Sequence, residues 1–297
     1  MVKYTISVCN YNMSETIEHS LRSILNQIND EFEVLVVDDG STDDSPEIVE
    51  SLQAEYDRLR LIRLPPDPGR HLGETRNIGV RHAKGDHVIL QIDADDVYED
   101  VLKGFVEIYE RLRDHREEAF LLRATNLTVA PKAFLEQRGP YRNLPVGAED
   151  LDMWRRLLAE GSVVWFVHRD PAKEIGISEN VYGRMRSGLV RGVQVRTGEF
   201  QTGLSLLSRI RWSHRQWRSG NRDLHEHLAE LPLSAYSYLL ASARPQYDLP
   251  DQFKRKGQID SVAEEVSLNL AGLEAEFGIN RSELNLTDLQ DRVFGSV

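Results

Sequence analysis

The stretch FEVLVVDDGSTDDSP, residues 32–46, runs from a mostly apolar, β-branched segment straight into Asp38, Asp39 and Gly40, and then into a helix opened by Ser45 and Pro46. Apolar continuity of this kind marks a strand covered on both faces, and proline suits the first turn of a helix. Upstream, residues 4–9 read as a strand, and Ile17, Leu21, Ile24, Leu25 and Ile28 recur at helical spacing with Ser14 as the expected cap. Downstream, residues 59–64 read as a third strand, 72–83 as a third helix and 87–92 as a fourth strand that ends in Asp93-Ala94-Asp95-Asp96. This alternation predicts an α/β fold, a mostly parallel sheet with helices on both faces. In such sheets ligands bind beyond the carboxyl ends of the strands, where the two acidic clusters stand. Either cluster alone also reads as a solvated turn.

The residue types suggest what these strand ends do. Asp93, Asp95 and Asp96 offer hard oxygen ligands of the kind Mg²⁺ or Mn²⁺ prefers, too few to close an octahedron without water and a substrate diphosphate. Asp39 can accept the imide N–H of a uracil or thymine ring, and Tyr11, at the end of the first strand, can cover the base. Arg70, Arg76 and Asn77 lie in GRHLGETRNIG, residues 69–79, where glycines and a helix start are expected to present N–H groups and cations to phosphates. Glu149 and Asp150 open a helix that carries Leu151, Trp154, Leu157 and Leu158; on position alone they are acids favoured by the helix dipole.

Bulk composition narrows the class. A formal charge of −12 over 297 residues argues against nucleic acid as a partner. The single cysteine, Cys9, in an apolar run, and an opening without an apolar stretch behind a basic one lead to the expectation of a cytoplasmic protein. Of the 36 basic residues, 29 are arginine and 7 lysine, a balance that suits solubility in high salt or a GC-rich genome.

The runs TISVCNYN, VLVVDDGSTDDS, GETRNIGVRHAKGDHVILQIDADD and GAEDLDMWRRL resemble, in order, the signature blocks of family 2 glycosyltransferases, inverting enzymes of the GT-A fold. The resemblance covers roughly residues 4–170. It implies a nucleotide-sugar donor, UDP- or dTDP-linked before GDP-linked, with Tyr11 and Asp39 as nucleoside contacts. It makes Asp93 the ribose and metal-side aspartate, Asp95 the metal ligand and Asp150 the base that deprotonates a hydroxyl of a carbohydrate or lipid-linked acceptor, with Glu149 positioning that acceptor. His168 falls near where relatives carry a residue that meets the metal or diphosphate. The QxxRW signature of processive members is not in the sequence, which points to transfer of one sugar. The 54 residues between Asp95 and Asp150 are fewer than the family pattern leads one to expect. The alternative is a catalytically silent nucleotide-sugar binder on the same fold. A sugar nucleotidyltransferase fits poorly, because Asn10-Tyr11-Asn12-Met13 stands where its glycine-rich loop would be.

The expected organisation is a GT-A domain over 1–180, a basic segment over 181–222 and a helical C-terminal appendage over 223–297. Residues 181–222 hold nine arginines, Arg184, Arg186, Arg191, Arg196, Arg209, Arg211, Arg215, Arg218 and Arg222, against one acid, Glu199. Leu204, Leu207, Ile210, His214 and Trp217 recur there at helical spacing, so residues 204–218 read as a peripheral contact with the inner membrane face. The competing reading is a helix whose arginines face the acidic catalytic domain, or a basic loop closing over the donor diphosphate. Oligomeric state is open, with a homodimer as one option.

Overall fold

The computed structural model describes residues 1–145, 147–176 and 181–295, with side chains of 181–187 excluded. The expected boundary at residue 180 and the side chains of Arg184 and Arg186 therefore lie outside the described residues.

The first half alternates as the sequence predicts: β1 (Tyr4–Asn10), α1 (Ile17–Leu25), β2 (Phe32–Asp38), α2 (Ser45–Gln53), β3 (Leu59–Arg63), α3 (Leu72–His82) and β4 (His87–Asp93). Next come β5 (Asp96–Tyr98), α4 (Leu102–Asp114), β6 (Leu121–Ala124), β7 (Leu127–Pro131), α5 (Lys132–Gln137), α6 (Glu149–Ala159), β8 (Val163–Phe166) and β9 (Ala172–Glu174). The chain ends with α7 (Val181–Gln201), α8 (Leu206–Arg218), α9 (Leu224–Ser242), α10 (Gln258–Glu265), β10 (Ser267–Leu268), α11 (Leu270–Phe277) and α12 (Asp288–Phe294). Eight strands form one sheet in the order β10-β8-β6-β7-β4-β1-β2-β3, and β5 pairs with β9 apart from it. Only β7 runs antiparallel to its neighbours β4 and β6.

Parallel register sets the strand ends level. β1 and β2 pair from Tyr4 with Phe32 to Asn10 with Asp38, so the two strands finish side by side. Every residue of β2 is buried, as its apolar run requires. β4 differs: its pairing with β1 slips by one residue between Ile6 and Val8, and Gln91 takes a left-handed φ of 65°. That bulge bends the strand just before Asp93. The Gln91 side chain accepts from Thr128 Oγ1 on β7, which supplies a reason for the strained backbone to persist.

Helix α1 starts at Thr16 rather than at Ser14, whose N–H goes instead to Asp43 Oδ2 at 2.9 Å. The C-terminal region also departs from a simple appendage. α7, α8 and α9 form a helical layer, but α10, β10, α11 and α12 return to the sheet. β10 extends the sheet at β8, and Leu270, Leu273, Val293 and Phe294 join the main core.

The basic segment is structural on its inner side. Arg196, Arg209 and Arg222 pair with Glu230 at 2.8, 2.6 and 3.0 Å. Arg209 also pairs with Glu199, which takes Lys256 at 2.6 Å and Arg155 of α6 at 3.3 Å. The expected acidic partners on the catalytic domain are thus carboxylates of the layer itself. Burial would push Glu199 up, but Lys256, Arg209 and Arg155 hold it down at about 2. The apolar set of residues 204–218 does not gather on an outward face: Leu204 is buried while Leu207 is 57% exposed, and the buried face of α8 is Arg209 and Ser213. No helix among the described residues is long and apolar enough to cross a membrane.

Candidate active site

The site lies where β1, β2 and β4 end and α6 begins. At the β1–β2 end, Asn10 Nδ2 donates to Asp38 Oδ1 at 2.7 Å and to Ser45 Oγ at 2.9 Å, and Ser41 N–H donates to Asp38 Oδ2 at 3.1 Å. Asp38 therefore ties the loop together, and Asp39 alone faces the cleft. Arg70 and Thr75 Oγ1, the latter at 3.0 Å, both donate to Asp39. Arg70, expected on phosphates, is thus engaged with the predicted base-reading carboxylate and orients it. Tyr11, which follows β1 directly, is 57% exposed.

The glycines of residues 69–79 serve packing. A Cβ on Gly79 would stand 2.1 Å from Ser7 Oγ, and one on Gly73 2.6 Å from the Arg142 carbonyl. Their bareness lets α3 lie close on β1 and on the 141–142 segment, and brings Arg76 inward. Asn77 is structural as well, exchanging two 2.8 Å hydrogen bonds with the Tyr141 backbone.

Arg76 is the hub. It is buried, with Nη2 3.8 Å from Asp93 Oδ1 and 3.6 Å from Asp150 Oδ2, and Nε 4.0 Å from Glu149 Oε1. Its guanidinium also lies 5.8 Å from the centre of the Tyr141 ring. Partial desolvation pushes the Asp93 carboxyl up, Arg76 pulls it back, and Asp95 and Asp150 push it up again. Arg191 of α7 adds a smaller pull. Burial first, then Asp150, raises Glu149 to about 7, against Arg76. Burial, Asp93 and Asp95 raise Asp96 to about 6.

Glu149 and Asp150 part ways at the start of α6. Glu149, expected to position the acceptor, is 1% exposed and turned toward Arg76. Asp150 keeps 16% of its side chain exposed at the cleft. Arg76 Nε, Glu149 Oε2, Asp150 Oδ1 and Tyr141 Oη are buried without hydrogen-bond partners. Such orphaned polar atoms are rare in a native interior, and their concentration around one arginine marks a place built for a ligand.

Asp95 helps to push the Asp93 carboxyl up, and the two carboxylates fit a divalent cation that takes its remaining ligands from water and a diphosphate. Among the described residues no three His, Cys, Asp or Glu side chains converge as a metal cage, and the structure does not bring His168 to them. His168 is 5% exposed, packed 5.8 Å from Phe166 and 5.4 Å from Phe294, with Nδ1 on the Arg169 carbonyl. That apolar setting, which lowers its pKa, withdraws it from the metal set. Cys9 is inert, its thiol pushed up to about 12 by burial.

Sequence reasoning assigned no role to Arg123. Its guanidinium lies 4.2 Å from the Trp154 ring centre and 3.8 Å from that of Trp165, and burial lowers it to about 10 against the pull of Asp150. Only the alternation of Arg123 with apolar β6 neighbours hinted at it.

Residues 5–115 match the model of glycosyl transferase family 2. An uncharacterized glycosyltransferase of Nostoc sp. is 32% identical over 111 residues, 37% of this chain and 33% of that protein. The poly(ribitol-phosphate) beta-N-acetylglucosaminyltransferase TarS of Staphylococcus aureus is 29% identical over 145 residues, 47% of this chain and 24% of that protein. The chain thus spans about a third or less of the length of these curated relatives. Among solved structures, the mannosyltransferase PcManGT of Pyrobaculum calidifontis, in complex with GDP-Man and Mn²⁺, superposes with a TM-score of 0.51 at 19% identity, covering 92% of this chain and 80% of that one. S. aureus TarS 1–349 with UDP-GlcNAc gives 0.50 at 15% identity, covering 98% and 78%. The likeness to these solved structures identifies a GT-A fold, and residues 5–115, which carry the strand-end aspartates in their order, are similar to glycosyl transferase family 2.

Proposed function

We propose that this chain moves a single sugar from a nucleotide diphosphate sugar to an acceptor hydroxyl, in one displacement that inverts the anomeric centre. The observation that carries this reading is the single buried guanidinium of Arg76, shared between Asp93 on the donor side and Asp150 on the acceptor side.

Tyr11 and Asp39 are suited to the nucleoside: the exposed ring stacks on the base, and Asp39, oriented by Arg70 and Thr75, accepts its imide N–H. This favours a UDP- or dTDP-sugar over the GDP-sugar of PcManGT. Asp93 and Asp95 would hold Mg²⁺ or Mn²⁺, which when bound neutralises charge on the departing diphosphate. Arg76 and Arg191 bring further positive charge to that side. Asp150, still solvent-accessible at the start of α6, takes the acceptor proton as the hydroxyl attacks. Arg76 lies 3.6 Å from Asp150 and fixes its position, and Glu149 braces Arg76 from behind.

Incubation with UDP-, dTDP- and GDP-sugars and Mn²⁺ tests the reading, by assay of free nucleotide diphosphate. Release from one donor base above the others supports it, and release from none contradicts it.

A further inference from the structure

Away from the cleft, α8 and the 254–258 segment enclose two adjoining cavities of about 530 and 400 Å³. Arg215 and Arg255 line both, Trp212 and Lys256 the first, and Arg211 and Lys254 the second. Five cations thus converge in a chain whose formal charge is −12. Asp260, in the first cavity, is the one acid lining either of them.

The cationic loop is held in place. Ser205 N–H donates to the Lys254 carbonyl at 3.2 Å, and Lys256 N–H to Ser208 Oγ at 2.8 Å. Gly257 takes a left-handed φ of 90° and lies so near Trp212 that a Cβ would stand 2.9 Å from Cδ1. Lys256 Nζ is fixed by Glu199 at 2.6 Å, 5.4 Å from the Trp212 ring centre. Lys254 pairs with Asp251 at 2.6 Å. Among the described residues Arg211, Arg215 and Arg255 have neither a carboxylate within reach nor a side-chain hydrogen bond, although acids outnumber bases by 48 to 36 in the chain. Like charges gathered on one side of the molecule repel, and the arrangement is relieved when an anion enters.

We propose that these paired cavities bind a soluble phosphate-bearing molecule. Guanidinium forks match phosphate oxygens two at a time, and three unengaged forks around a fixed lysine and an indole face suit phosphate groups in succession. The concave walls suit a discrete ligand better than a flat bilayer. This site is separate from the donor cleft and does not depend on the proposed reaction.

The test is titration of the full chain with sodium tripolyphosphate in EDTA, followed by Trp fluorescence. Binding is expected in the wild type, to weaken about tenfold or more in Arg215→Ala/Arg255→Ala, and to be unchanged in Arg191→Ala, which removes a cation from the donor side. Because neither arginine has a partner to lose, the double variant should melt like the wild type. Three results overturn the proposal: no binding by the wild type, equal binding by the double variant, or loss of binding in Arg191→Ala, which would locate the anion at the donor cleft. Arginine-dependent sedimentation with phosphatidylglycerol vesicles, without tripolyphosphate binding, would likewise overturn it in favour of a lipid surface.

Discussion

Asp93 and Asp150, one at the end of β4 and the other at the start of α6, both lie within 4 Å of a single atom, Arg76 Nη2. The protein keeps three carboxylates around one buried arginine, and that dependence makes the arginine's removal informative. Arg76→Met should leave Glu149 and its neighbours uncompensated and destabilise the fold by about 3–5 kcal/mol. Urea unfolding measures this; a variant as stable as the wild type would mean the carboxylates are already neutral.

Asp150→Asn keeps the shape of the side chain and removes its basicity. Turnover should fall by roughly 10²–10⁴, while nucleotide and metal binding persist. Unchanged turnover would mean that another group is the base.

Stability should depend on pH through Glu149, whose folded value of about 7 lies above its ordinary 4.5. The native state holds this proton more tightly than the unfolded chain, so the contribution is fully present below 4.5 and is lost as pH rises through 7. Glu149→Gln should flatten the fall in urea midpoint between about pH 5 and 8. Parallel curves for variant and wild type would count against a raised Glu149. Glu199, held at about 2, acts in the opposite sense, its contribution lost only in strong acid.

If Gly79 serves packing, Gly79→Ala should lower stability by about 1–3 kcal/mol through its clash with Ser7 Oγ. Adding Ser7→Ala should restore part of the loss, as a double-mutant melt would reveal. A loss of nucleotide binding without loss of stability would instead favour the phosphate-loop reading.

Much of this was legible before the structure. Residues 32–37 could only be a doubly covered strand, and the aspartates after β2 and β4 had to share one edge once the strands were parallel. What escaped depends on contacts that no local pattern carries. Gly73 and Gly79 look alike in a phosphate loop and in a helix pressed on a strand. Glu149 and Asp150 are adjacent in sequence, yet 100° of helix turn sends one inward and leaves the other at the cleft. His168 sits beside a polar run, but Phe294, more than a hundred residues on, closes over it. The return of β10 to the sheet rests on two residues, too few for periodicity to signal.

On the proposed reading, Asp93 and Asp95 complete a donor site only with a nucleotide diphosphate and a divalent cation together. Thermal melts with UDP, dTDP and GDP, each with and without Mn²⁺, in the wild type and in Asp95→Ala, test it most directly. One nucleotide should stabilise the wild type, only when Mn²⁺ is present, and the shift should vanish in the variant. No shift with any nucleotide, or the same shift in Asp95→Ala, would contradict it.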